Sequence, residues 1–196
     1  MKNISAKFLI TMAIGLVTFL DAQTINRYGT TTANFLEIGI GSRATSMGDA
    51  YVAVANDVSS IYWNPAGLSH VTRSSALFSI QPWLVDIDMM FAGGAFVVPS
   101  VGVIGLGITH LDYGEMDVTN LEYQDGTGER FGASDVAATF TFSRKIVSWF
   151  SFGSSMKYIS SKIWHSSASA FAVDLGVLVN TNFFTYTLKF WIRFEL

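Results

Sequence analysis

Three histidines, His70, His110 and His165, are the residues of this chain best suited to hold a metal or carry a proton, and they are scattered along it. A zinc site gathers His, Cys or carboxylate ligands at characteristic spacings; these histidines show no such spacing, and the sequence has no cysteine. The same lack removes a thiol nucleophile, and no G-x-S-x-G elbow presents a serine. Gly39-Ile40-Gly41-Ser42-Arg43-Ala44 fits the loose G-x-G-x-x-A form of a dinucleotide turn. A true fingerprint opens a βαβ unit, whereas the pattern downstream is a series of hairpins. Asp117, Asp125 and Glu129 could approach a calcium ion, but they lack the ligand order of a D-x-[DN]-x-[DN]-G loop and read better as a solvated loop. The expectation is therefore no catalytic residue, no metal ligand, no cofactor and no enzyme activity.

What the chain must position, then, is set by its solvent. Half of the 196 residues are hydrophobic and only 14% are charged, with 16 Phe and a mean hydropathy of +0.38. Soluble domains carry about 25% charged residues. The net charge of −3 supplies no basic footprint for nucleic acid. At the N-terminus, Lys2 and Lys7 precede an apolar run from Phe8 to Leu20, followed by Asp21-Ala22-Gln23. That run is too short to span a bilayer and has the form of a signal-peptide core, so residues 1–22 are read as a cleaved leader. An exported, apolar chain without a spanning helix points to a closed barrel, because an open sheet edge cannot face lipid.

The elements follow from periodicity. Residues 23–72 are rich in Gly, Ala and Asn, with a small helix expected over Met47–Val58; from 73 to 196 the apolar period is two. In Asp135–Ile146, Val136, Ala138, Phe140 and Phe142 share one face. In Phe150–Tyr158 that face holds Phe150, Phe152, Met156 and Tyr158, opposite Ser151, Gly153, Ser155 and Lys157. In Ala168–Val179 it holds Phe171, Val173, Leu175, Val177 and Val179, opposite Ala170, Ala172, Asp174 and Gly176. In Ser100–Leu111, Ile104, Leu106 and Ile108 oppose Gly105, Gly107 and Thr109. Strands of about ten residues suit a tilted membrane crossing, while a soluble sandwich, the alternative, averages about five or six. Phe140, Phe142, Phe150, Phe152, Phe171, Val173 and Leu175 are the lipid-facing candidates. A short turn at Lys145–Ser148 and a long acidic loop over Tyr113–Ser134 predict the loop asymmetry of an outer-membrane barrel, with Trp83, Trp149, Trp164 and Tyr158 at strand ends as girdle residues.

One segment carries a resemblance. Gly29–Leu68 joins T-x-A-x-F-L-x-I-G-x-G-x-R-A (Thr32–Ala44) to M-G-x-A-Y-V-A-V-A-x-D (Met47–Asp57) and Y-W-N-P-A-G-L (Tyr62–Leu68). It closely resembles the N-terminal region of the PorV/PorQ group of FadL-like outer-membrane proteins. The resemblance implies an all-β transmembrane barrel of about fourteen strands in the family, of which this chain would supply about seven or eight. It implies that Asn64, Pro65, Ala66 and Gly67 form the N-P-A-G motif of a hatch folded into the barrel. The chain is then expected to be the plug and first half of a barrel, with a small eight-stranded barrel closed by Tyr186–Phe194 as the alternative. The location implied is the bacterial outer membrane, with lipid as a partner. Two roles follow: a scaffold in type IX protein secretion, in contact with secretion-system proteins or secreted cargo, or passive transport of hydrophobic small molecules such as long-chain fatty acids. A barrel of unassigned role is a third reading.

Overall fold

The computed structural model describes residues 33–85, 87–183 and 186–188; the leader assigned to 1–22 and most of Tyr186–Phe194 lie outside them. Six strands form one antiparallel sheet in chain order: β1 (Ser75–Pro82), β2 (Asp88–Val98), β3 (Gly102–Asp117), β4 (Arg130–Val147), β5 (Phe150–Ile163) and β6 (Ser166–Val179). Among the described residues the sheet is not closed: β1 pairs only with β2 and β6 only with β5. β7 (Thr181–Phe183) and β8 (Tyr186–Leu188) pair with each other in a separate two-stranded sheet. Among the described residues no helix is long and apolar enough to cross a membrane.

The alternation read from the sequence sets the two faces. On β4, Asp135, Ala137, Thr139, Thr141 and Ser143 are buried, while Ala138 and Phe140 between them are exposed. A period of two sends successive side chains to opposite faces, and the cross-strand register carries that division across all six strands. One row on the exposed face runs Phe78, Ala92, Ile108, Ala138, Tyr158, Phe171; the next runs Ala76, Gly94, Leu106, Phe140, Met156, Val173. The opposite face is covered by the segment from Ala33 to His70, referred to below as the hatch.

Several strands exceed the expected lengths. β3 and β4 continue to the pair Asp117↔Arg130 past a bulge between Asp112 and Glu115, and the Arg130 guanidinium binds both Glu115 and Asp117. The expected loop over Tyr113–Ser134 is thereby shortened to Val118–Glu129. The β4–β5 turn is only Ser148 and Trp149, because Val147 already pairs with Phe150. The expected alternation of short and long connections holds only in part. β5 and β6 meet through Trp164 and His165 alone, at the same end as the long loop, and a φ of 51° at Trp164 makes that tight turn. Trp149 lies at one end of the sheet and Trp83 and Trp164 at the other. Tyr158, expected at a strand end, is mid-strand opposite Ala138 and packs on Phe171 with ring centroids 5.1 Å apart.

The hatch contains four short helical turns: α1 (Asn34–Glu37), α2 (Ser42–Thr45), α3 (Ser60–Trp63) and α4 (Pro65–His70). The helix expected over Met47–Val58 does not form. Gly48 and Asp49 both have positive φ (60° and 62°), outside the right-handed helical region, and the chain passes through consecutive turns instead. Phe35, Ile40, Val58, Ile61 and Leu68 from the hatch share one apolar core with Met89, Phe91 and Ala95 of β2, Val103 and Leu111 of β3, Ala137 of β4 and Ile159 of β5.

Candidate functional site: the hatch and its seat

Asn64 is completely buried, and it organises the turn that follows it. Its side-chain oxygen accepts a hydrogen bond from the Ala66 N–H at 3.0 Å, and its Nδ2 donates to the Val52 carbonyl at 3.2 Å. The first bond caps α4, whose first residue, Pro65, has the φ a helix start requires and no N–H to satisfy. The second ties the cap back to the preceding turns. Pro65, Ala66, Gly67 and Leu68 are all buried.

The seat for this turn is made of glycine. Ser143, Gly153 and Gly176 stand in one row across β4, β5 and β6. A Cβ on Gly153 would strike the Pro65 carbonyl and lie 2.5 Å from the Ala66 nitrogen; one on Gly176 would strike Asn64 Oδ1 and the Pro65 ring. Only a strand without side chains at both positions admits hatch backbone so close. Ser143 Oγ donates to the Ala66 carbonyl at 3.2 Å, and Ser69 Oγ donates to the same oxygen at 2.8 Å. The motif is thus held by shape and by hydrogen bonds to sheet and hatch alike.

A second knot holds the hatch to itself. Arg43 Nη1 lies 3.1 Å from Asp57 Oδ2, the Tyr51 hydroxyl donates to the same oxygen at 3.1 Å, and Arg43 stacks 5.3 Å from the Tyr51 ring centre. Asp57 also accepts from the Ser59 N–H and hydroxyl. Burial, and then the Asp57 charge, raise the Tyr51 pKa above its ordinary value. Tyr51 packs with Ala44, Ala55 and Trp63, and the Trp63 indole donates to the Ile40 carbonyl at 3.1 Å. These residues belong to all three parts of the resembling segment, and here they touch.

Beneath the hatch the covered face of β4–β6 sets polar side chains beside Ala137, Ile159 and Leu178. Thr141 Oγ1 and Ser155 Oγ are 2.8 Å apart, and Lys157 Nζ lies 2.6 Å from Asp174 Oδ2 with the two side chains 3% and 5% exposed. Sequence reading placed Lys157 and Asp174 on the small-residue face without pairing them. Each is the one charged residue in its run of Gly, Ala and Ser, and that was the available signal. Gly153 and Gly176 were likewise placed on the right face, but nothing in the sequence aligned them opposite each other.

The lipid-facing candidates lie on the open face. Phe140, Phe171, Val173 and Leu175 are exposed, and Phe142, Phe150 and Phe152 are half-buried by neighbours in their rows. A shallow apolar groove runs across this face between Phe78, Leu106, Phe140 and Phe171.

The residues first weighed for chemistry remain apart. His70 ends α4, His110 sits on the open face of β3, and His165 occupies the β5–β6 turn. Asp117 is engaged by Arg130, and among the described residues no three His, Asp or Glu side chains gather as a metal site. Gly39–Ala44 leads into the single turn α2 and follows another helical turn, not a strand. What the arrangement does is hold a folded segment tightly against one face of a sheet whose other face is greasy. Compared with models of known families the chain matches none, and compared with curated protein sequences it also matches none.

Proposed function

We infer that this chain is an outer-membrane β-barrel protein of the PorV/PorQ type, acting as a scaffold in type IX protein secretion. The observation that carries the membrane part is the open face. Its apolar rows are framed by a polar row, Asp88, Asp112, Ser134, Lys162, Ser167, at one end and by Arg144 near the other. At about 3.4 Å per residue, Ser134 to Arg144 covers about 34 Å of strand, and a tilt of about 40° reduces this to about 26 Å along the membrane normal. An outer-membrane barrel presents an apolar band about 25 Å tall. Water would leave such a patch as a strong association site, whereas lipid matches it. The hatch-covered face supports the family reading, since the N-P-A-G turn is the best-seated part of the hatch.

The scaffold role rests on the chemistry of the covered face. A carrier of hydrophobic compounds requires an open greasy passage, but on β4–β6 Ala137, Ile159 and Leu178 share the wall with Gly, Ser, Thr and a buried ion pair, and the hatch is packed onto it. Transport of hydrophobic compounds is the competing role. Deleting the gene in its native host separates the two. Loss of surface-protein secretion, with the protein recovered in the outer-membrane fraction, is the expected result. Normal secretion with impaired growth on long-chain fatty acids would overturn the scaffold role, and recovery in a soluble fraction would overturn the membrane reading.

A further inference from the structure

A cavity of about 310 Å³ lies at the end of the sheet that carries the β2–β3 and β4–β5 turns, bordered by Ser69, Val97, Ser100, Val101, Arg144 and Lys145 among others. Its charge is one-sided. Arg144 and Lys145 lie on its wall, no carboxylate lines it, and neither cation has an acidic partner among the described residues. The fold produces this pairing. Arg144 pairs with Phe152 and Lys145 with Ser151 in regular register, and at this end of the strand, just before the ladder breaks between Lys145 and Val147, both residues border the same cavity. The Ser69 hydroxyl donates to the Ala66 carbonyl, and that of Ser143 is shared between the Ala66 and Phe152 carbonyls. Ser100 stands in the β2–β3 turn with a φ of 67°, beside the cations. The rest of the wall is apolar, formed by valines and Pro99.

The geometry points to a binding site for a phosphate group, gripped by Arg144 and Lys145, with the valine wall receiving the apolar part of the molecule that carries it. A guanidinium offers a planar fork of donors that matches phosphate oxygens, and a nearby ammonium adds a compact second charge. The cavity belongs to the hatch–sheet junction itself: Ser69 lies in the last turn of the hatch, and Ser143 is hydrogen-bonded to Ala66. A ligand there would brace the hatch exit against the strand ends. The inference goes beyond the secretion role and does not depend on it, because free phosphate and a lipid head group would be recognised by the same atoms.

The test uses the full chain folded in uncharged detergent, with thermal unfolding followed by tryptophan fluorescence. The probes are inorganic phosphate, compared with chloride at equal ionic strength, and phosphatidylglycerol, compared with phosphatidylcholine. Unfolding is expected to shift upward with at least one of the first-named probes. Each of Arg144→Gln and Lys145→Gln should weaken the response about tenfold, as expected for loss of a charge-assisted hydrogen bond. A response to inorganic phosphate assigns a free anion, and a response to phosphatidylglycerol alone assigns a lipid head group. Phosphorus NMR on the unsubstituted chain gives a measurement independent of variant folding, as broadening of the phosphate resonance. The proposal is overturned if neither probe shifts unfolding, or if the R144Q/K145Q double variant responds like the parent.

Discussion

Asn64 and Gly176 meet where the hatch touches the sheet: the Asn64 side-chain oxygen occupies the space that a side chain on Gly176 would need. Because that same oxygen accepts the Ala66 N–H, one contact couples the cap of α4 to its seat. Gly176→Val should therefore expel the turn rather than merely crowd it, costing about 1–3 kcal/mol or more. Limited trypsin digestion reads the outcome through Arg43, half or more exposed in the hatch. Faster cleavage at Arg43 in the variant, with the strands still protected, is expected; unchanged cleavage would show that the seat is not what holds the hatch.

The Lys157–Asp174 pair makes the opposite kind of prediction. Removing one partner, as in Asp174→Leu, leaves a buried charge unanswered and should destabilise the fold by about 3–5 kcal/mol. Replacing both, Lys157→Met with Asp174→Leu, should restore most of that loss, since an apolar pair of similar volume has no desolvation cost. Urea unfolding of the parent, single and double variants measures the difference, and a double variant as weak as the single would refute the pairing.

Tyr51 sets a limit at alkaline pH. Its pKa is raised by burial first and by Asp57 second, so the folded hatch keeps the phenol protonated where the unfolded chain has begun to lose its proton. Its contribution is fully present below about pH 10, the ordinary tyrosine value, and is lost as the pH rises through the elevated value. Phenolate absorbance and hatch proteolysis, followed together from pH 8 upward, should show cleavage at Arg43 rising with ionisation. In Tyr51→Phe that alkaline step should flatten, with the hatch weaker at neutral pH for lack of the bond to Asp57.

On the membrane reading proposed above, the cost of a charge on the open face should depend on its depth. Phe140→Arg, near the middle of the apolar rows, should cost about 2–4 kcal/mol when the protein folds into vesicles, and Ser134→Arg, in the polar row, about 0–1. Folding equilibria in denaturant with lipid vesicles give both values. Equal, near-zero costs at the two positions would mean that this face meets water.

Much of this organisation was legible because period-two alternation is a local property. The faces of Ile104–Thr109, Val136–Phe142 and Phe150–Tyr158 could be read residue by residue, and the structure keeps every one of them. The misreadings came where backbone geometry is not local in that way. Ala-rich Met47–Val58 has helical composition, yet positive φ at Gly48 and Asp49 turns the chain so that Tyr51 reaches Asp57. Tyr158 looked like an end residue because the length of β5 depends on partners in β4 and β6.

The sequence by itself determined the greasy and small-residue faces, the order of the strands and the cap formed by Asn64 and Pro65, all of which depend on residues close along the chain. Only the tertiary structure decided that Gly153 and Gly176 face each other beneath that cap, and that Lys157 finds Asp174. Register is the reason. A shift of one residue between β5 and β6 would turn the small and polar side chains of β6 to the opposite face. The two-residue turn at Trp164 and His165 fixes the alignment, and it brings Gly153 and Gly176 together against the hatch, which neither strand alone specifies.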